Sequence, residues 1–371
     1  LYGPEPVLTA SRVERFRTCR FAHFARYGLK ARPDKKAAFE AAETGSFLHY
    51  VLEKTSKDIM EHGGFSIDRA ELTAFIEASA ARHIDEYTET YMGGLGDKPQ
   101  RLRYTVERLG RTVREILCGM IDEFAASRFV PVGFETPLGA DGAPLRFDAG
   151  GEPVLLSGCV DRIDLWAFEG VQYVRVVDYK SGAKAFTYKD VENGIGIQLL
   201  LYLFAVVAGD RALRPAGVLY KPVGKRFVAL RPGMTREDME NELRRSGKCK
   251  GVVLDDDGVI LAMEAVPEGR RERFIPVAID GGAIRRSRSS LVDQRQFGIL
   301  KGHIARLMRE TKAALTGGAI ECDPFAGACE FCDFHRLCRF DPTNGHDAFR
   351  EAAPLRKDEF FARHAGDEME V

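Results

Sequence analysis

The sequence predicts an α/β fold in which a mixed central sheet is flanked by helices. Three features carry that expectation. The first third reads as helices, a β-meander from Phe129 closes in a hairpin over 155–180, and an apolar helix then precedes further strand-like runs.

The elements follow in order. Residues 9–28, TASRVERFRTCRFAHFARYG, predict a helix, with a capping box on Ser11 and Glu14 and a stop at Gly28. Val13, Phe16 and Phe24 recur on one face, with Cys19 close to that stripe. A loop rich in Lys, Arg and Asp leads to helices over about 37–62, 69–91 and 98–127. The Gly93-Gly94-Leu95-Gly96 link lacks the flanking strand and helix of a phosphate cradle. Strands through Pro131, Phe134 and Leu145 lead into the hairpin, and 195–208 form the apolar helix. AGVLYKP (216–222) and RFVAL (226–230) predict a strand pair, and 235–246 and 289–316 predict two-faced helices. The tail from about 343 is charged and is expected to wind over the surface or to be partly disordered.

The hairpin LLSGCVDRIDLWAFEGVQYVRVVDYK is the most informative stretch. With Glu169-Gly170 at the turn, Asp161 falls opposite Asp178, with Ile163/Val176 and Leu165/Val174 beneath them. The other face then pairs Asp164 with Arg175 and Trp166 with Tyr173, an ion pair and an aromatic pair. A one-residue slip would spoil both faces. Lys180 shares the face of Asp178, and Tyr179 points away. Two facing carboxylates lie roughly 5 Å apart and repel. One lysine leaves them undercompensated, so a divalent cation with hard oxygen ligands, magnesium or manganese, fits best. Such a site suits cleavage of a phosphodiester, with the amine of Lys180 beside the attacking water or the developing charge.

Composition sets bounds. The 371 residues are 45% apolar and 29% charged, as in ordinary folded proteins, with net charge −1, so affinity for nucleic acid must come from local basic patches. Candidates are Arg285-Arg286-Ser287-Arg288 and Arg270-Arg271-Glu272-Arg273. No run of about 18 uncharged apolar residues predicts a membrane span, and no export leader is visible, which predicts a cytoplasmic location. A start at Leu1 rather than Met suggests a piece of a longer polypeptide. Gly224-Lys225 and Gly247-Lys248 lack the rest of a Walker A motif, so this chain should not hydrolyse ATP. Of eight cysteines, three stand as Cys329-x2-Cys332-x5-Cys338, a metal or cluster pattern rather than a disulfide framework.

Further pieces complete a pattern: Gly45-x3-His49, Gly158-x2-Asp161, Asp178-Tyr179-Lys180 and Gln198-x3-Tyr202, in that order. Together they resemble the RecB-like branch of the PD-(D/E)xK nucleases. SRVERFRTC near the start and CEFCDFHRLC near the end resemble the iron–sulfur staple of the AddB-type nuclease domain in AddAB helicase–nucleases, and RVVDYKS (175–181) and PAGVLY (215–220) are similar too. The resemblance covers about residues 7–342. It implies a restriction-endonuclease-like core, with His49, Asp161, Asp178 and the Tyr179 carbonyl as metal ligands, Lys180 as the catalytic lysine, and Gln198 and Tyr202 as supports. It implies a [4Fe–4S] cluster on Cys19, Cys329, Cys332 and Cys338; the family's Pro after the first cysteine is Arg20 here. Cysteine spacing alone also allows a zinc site on Cys322, Cys329, Cys332 and Cys338.

The implied division is 1–35 as the first part of the staple, 36–317 as the nuclease core, 318–342 as the second part and 343–371 as a charged tail. The implied activity is magnesium-dependent cleavage of single-stranded DNA, leaving 5′-phosphates, during recombinational repair of double-strand breaks. The implied partners are DNA and the AddA-type helicase–nuclease subunit of an AddAB-type heterodimer. A stand-alone CRISPR-associated iron–sulfur exonuclease and a non-catalytic DNA-holding module are the alternatives.

Overall fold

The computed structural model describes residues 1–32, 41–139, 143–180, 182, 185–223, 231–268 and 270–371. A short strand β1 (Val7–Leu8) leads into helix α1 (Ala10–Thr18). Thr9 caps it, its hydroxyl accepting the Arg12 N–H at 3.2 Å. The expected capping box is therefore displaced: Ser11 lies inside the first turn, and Glu14 serves another helix. Nor does one helix run to Gly28. Cys19 is extended, and a short α2 (Arg20–His23) and a π-helical turn to Gly28 follow. The C-terminal segment takes the freed donors, with the Phe21 N–H bonded to the Glu321 carbonyl at 3.0 Å and the Arg20 N–H to Asp323 at 2.9 Å.

Helices α3 (Ala41–Glu61), α4 (Arg69–Met92) and α5 (Gln100–Ala125) form one layer. The start expected near 37 lies outside the described residues. Val106, Leu109, Val113, Leu117, Met120 and Phe124 recur at helical spacing, and all are buried. Phe134 and Tyr179 of the sheet join this core.

The strands follow as β2 (Val130–Pro137), β3 (Leu145–Asp148), β4 (Pro153–Leu156), β5 (Cys159–Phe168) and β6 (Val171–Lys180). β3 and β4 leave the main sheet and pair with β1. The β5–β6 register is the expected one, setting Ile163 against Val176, Asp164 against Arg175 and Trp166 against Tyr173. Glu169 (φ 50°) and Gly170 (φ 80°) are both left-handed, the geometry of the hairpin turn whose twist matches its strands. A crossover through α6 (Tyr188–Glu192) and α7 (Gln198–Gly209) makes β7 (Leu213–Pro222) parallel to β6.

The RFVAL strand lies outside the described residues. The antiparallel neighbour of β7 among those described is β8 (Lys250–Leu254), which α8 (Arg236–Gly247) precedes. After α9 (Asp257–Met263) and a small hairpin of β9 (Ile279–Asp280) and β10 (Ala283–Ile284), edge strand β11 (Leu291–Val292) pairs with β8. The main sheet thus runs β11-β8-β7-β6-β5-β2. Helix α10 (Gln294–Thr316) starts later than expected, at a capping box on Asp293 and Gln296, because 291–292 belong to the sheet. It packs with α7 on the second face, where Leu200, Leu203, Phe297, Leu300 and Ile304 are buried.

After α11 (His335–Cys338), the tail departs from the expected surface path at α12 (Lys357–Arg363), whose Phe360 and Phe361 enter the core. Its last residues lie against glycines of α10: a Cβ on Gly302 would collide with the Asp367 carbonyl, and the Met369 N–H donates to the Gly298 carbonyl at 3.1 Å. Among the described residues, no helix is long and apolar enough to cross a membrane.

Between the hairpin and α5 lies a fully buried charge network. Asp164 accepts from Arg175 at 2.7 Å and from Arg162 at 3.0 Å, and Glu123 of α5 binds Arg162, Arg175 and Lys221. Burial alone would raise the Glu123 carboxyl, but Arg162, Lys221 and Arg175 outweigh it and hold it well below the ordinary range.

Candidate functional site

The β5–β6 ladder runs from Phe168/Val171 to Arg162/Val177 and stops one step short of the two acids. There the Tyr179 N–H donates to the Asp161 carboxylate at 2.9 Å instead of to main chain. β5 meanwhile pairs onward with β2, setting Phe134 against Arg162 and Thr136 against Val160. Glu135 therefore lies opposite Asp161. On the other side Asp178 pairs with Tyr220 of β7. Three acids, Glu135, Asp161 and Asp178, thus stand in one row across three neighbouring strands.

Side chains from both helical layers converge on this row. His49 of α3 approaches Glu135 at 2.6 Å and Asp161 at 3.6 Å through Nδ1. One ligand-type atom each of His49, Glu135 and Asp161 lies within 4.8 Å of the others. Lys180 reaches Asp178 at 2.7 Å and the Gln198 side-chain oxygen at 3.4 Å. Gln198 opens α7, and its N–H donates to Glu14 of α1 at 3.1 Å. Tyr202 packs on Gly158, where a Cβ would sit 2.9 Å from its ring, so a glycine three residues before Asp161 is a packing need. The Tyr179 ring points to the opposite face, where its hydroxyl accepts from Arg162 at 3.2 Å.

The electrostatics match the geometry. Burial, then the charge of Asp178, pushes Asp161 up to about 7. The hydrogen bond to Glu135, followed by Asp161 and the other acids, raises His49 against its burial. Burial favours a neutral Glu135, but His49 overrides it and lowers its pKa. Burial raises Tyr202 to about 12, with Asp161 and Asp178 adding to it. Clustered acids short of positive charge, with an imidazole and an amine beside them, are the donor set a hard divalent cation takes.

The sequence thus located His49, Asp161, Asp178, Lys180, Gln198 and Tyr202, and the fold brings them together. It missed Glu135 and Glu14. An acid in the otherwise uncharged run VPVGF-Glu135-TP, one strand before Gly158-x2-Asp161, was the available signal for the first.

A second assembly is separate. Cys19, Cys322, Cys329, Cys332 and Cys338 all line one cavity of about 370 Å³, which Glu14 also lines. Among the described residues, no three of these sulfurs close to within 4.8 Å of one another. Burial, then neighbouring thiols, raises Cys322 and Cys329, as expected for sulfurs that ionise together only around a cation.

A third group, Glu192, His303 and His364, is already satisfied. His303 bonds the Val191 carbonyl at 3.0 Å and Arg306 at 2.8 Å, and His364 bonds Glu192 at 2.5 Å. It clasps the tail to α10 with Arg306 as its resident cation.

The chain is 30% identical over 372 residues to the AddB-type subunit of an ATP-dependent helicase/deoxyribonuclease from Clostridium novyi, covering 97% of this chain and 32% of that protein. Proteins of the same description from Clostridium acetobutylicum (31% over 356 residues; 92% and 30% covered) and Ruminiclostridium cellulolyticum (30% over 364 residues; 94% and 31% covered) are similar. The chain spans about a third of the length of these relatives. A family model for the PD-(D/E)XK nuclease superfamily matches residues 7–339. With that match over nearly the whole chain, and with both acids and the lysine of Asp161…Asp178-x-Lys180 gathered at one end of a mixed sheet, the chain belongs to the PD-(D/E)XK nuclease superfamily.

Proposed function

We propose that this chain is the nuclease part of an AddAB-type helicase–nuclease, hydrolysing single-stranded DNA that the motor of an AddA-type partner delivers, in cytoplasmic repair of double-strand breaks. The row Glu135–Asp161–Asp178 with Lys180 carries this reading. His49, Asp161, Asp178 and the Tyr179 carbonyl hold Mg²⁺ or Mn²⁺, and Glu135 joins them or orients His49. When bound, the ion supplies positive charge to the phosphoryl group and acidifies water. Lys180 directs its amine at the attacking water or the developing oxyanion. Water oxygen bonds phosphorus as the bond to the 3′ oxygen breaks, leaving a 5′-phosphate. Gln198 holds Lys180, and Tyr202 fixes the turn before Asp161.

The test is cleavage of end-labelled single strands titrated with Mg²⁺ and Mn²⁺. Activity should appear with metal and vanish in chelator; cutting unaffected by chelator would refute the assignment. Strands bound but never cut would instead support a DNA-holding module.

Glu14 is a positioning residue for this site, because it accepts the N–H of Gln198, which in turn meets Lys180. Glu14→Ala should lower kcat about tenfold with KM little changed, roughly the cost of one lost hydrogen bond to a charged group. Glu14→Gln, still an acceptor, should recover most of it in steady-state assays.

The cysteine cavity holds a [4Fe–4S] cluster in this reading. Zinc bound at about 2.3 Å draws its four sulfurs to roughly 3.8 Å apart. The wider spread here, with Cys19 among the thiols, favours a larger inorganic body. Such a group closes a chain loop of roughly 310 residues between Cys19 and Cys329. Cys329→Ala should lose the broad visible absorbance together with DNA binding or folding. A colourless protein carrying stoichiometric zinc would overturn the cluster.

A further inference from the structure

The row of acids does not end at Asp178. Asp178 pairs with Tyr220, and Tyr220 pairs with Lys250 of β8, so the three side chains leave the same face of the sheet. Lys250 then lies two strand spacings, roughly 10 Å, from Asp178. It is exposed, and it has no ion-pair partner among the described residues.

Two cavities meet at this lysine. One, of about 280 Å³, runs between Lys180 and Lys250 past Tyr220 and Ser246. The other, of about 480 Å³, continues from Lys250 towards Arg288 and Lys357. No aspartate or glutamate lines either one, in a chain where acids equal bases almost one for one. Chance lining would include several. Lys248 is tied to Glu272 and serves as wall. Arg288 is two-thirds exposed, with Asp280 no nearer than 3.8 Å. Lys357 spends one N–H on the Leu291 carbonyl at 2.7 Å and keeps the others.

We propose that Lys250, Arg288 and Lys357 form a phosphate-binding track that carries the single strand away from the cleavage row, beginning beside Lys180. The inference rests on the nuclease reading and names where its substrate lies. Cations spaced along a groove, without acids between them, bind a polyanion and neither a neutral nor a basic partner. The track starts at the amine assigned to the scissile phosphate, so the phosphates it binds are the neighbours of that one. Chemistry and binding therefore share a single line across the sheet.

The experiment measures binding of a fluorescent twenty-nucleotide oligothymidine by the full chain in chelator, over a series of salt concentrations. The double variant Lys250→Ala/Arg288→Ala is compared with Arg101→Ala, an exposed cation on the other helical layer. Each phosphate contact on a single strand contributes about 0.7 to the slope of log affinity against log salt. The double variant should therefore flatten that slope by about 1.4 and weaken binding several-fold at physiological salt, and Arg101→Ala should not. Equal slopes in the two variants would overturn the track, even with Asp178→Asn abolishing cleavage. Cleavage that survives Asp178→Asn would defeat the nuclease assignment instead, whatever the slopes.

Discussion

Replacing Asp178 with Asn lowers strand cleavage on the order of 10³-fold, about 4 kcal/mol of transition-state stabilisation, with fold and thiol cavity intact. The carboxylate stands between the Lys180 amine, 2.7 Å away, and the buried Asp161 whose charge it perturbs. A neutral amide keeps the shape and loses the negative charge that a divalent cation and the lysine both need. Gel assays of end-labelled strands measure the loss; a fall of less than tenfold would sink the assigned role.

The same change should alter how the metal-free protein responds to pH. Asp161 titrates near 7 in the fold and near the ordinary carboxylate value when unfolded. With its pKa raised by folding, it costs nothing below about pH 4. The penalty grows as pH climbs from about 4 to about 7 and is constant above. It reaches a few kcal/mol at most, and a divalent cation should remove it. Burial is the larger cause and Asp178 the second, so Asp178→Asn should shrink the slope without abolishing it. Thermal melts of the metal-free proteins from pH 5 to 8 test this. Parallel curves for wild type and variant would show that the two acids do not interact.

Glu123→Ala should be the most damaging substitution for stability, costing about 3–5 kcal/mol. Its carboxylate is buried and meets Arg162, Arg175 and Lys221, with Asp164 as the other anion of the group. Removing it leaves three buried cations to one carboxylate. Because Asp161 and Ile163 flank Arg162 on β5, the damage should reach the acids through the strand they share. Denaturant melts at neutral pH measure the loss. Since its pKa is depressed by folding, the Glu123 contribution is complete above its unfolded pKa near 4.5 and fades as pH falls below it. Wild type should therefore lose stability on acidification more steeply than the variant. A loss under 1 kcal/mol would mean that the network relaxes or hydrates at little cost.

The hairpin was legible because its information is local. A two-residue turn fixes the register, and alternate side chains then declare two faces, which placed Asp161, Asp178 and Lys180 without reference to the rest of the chain. The helices were legible for the same reason, through the 3.6-residue recurrence that buries Val113, Leu117 and Met120. His49, Gln198 and Tyr202 came instead from an ordered pattern of motifs, since nothing in their immediate neighbourhood marks them.

What escaped the sequence depends on distant partners. Glu135 becomes part of the site only because β2 pairs with β5 after a bulge between Pro131 and Gly133 that resets which residues face each other. The helix of 9–28 breaks at Cys19 because residues 321–323, some three hundred positions away, supply the competing hydrogen bonds. The charged tail enters the core because Gly298 and Gly302 leave a bare strip on α10 for its backbone. By itself, then, the sequence determined the periodic elements, the hairpin register and the acid–acid–lysine set, because those rest on steric and hydrophobic rules acting over a few residues. The tertiary structure alone decided which distant acid, cap and thiol join them, because hydrogen bonds and charges pair with whatever the folded chain brings within a few ångströms.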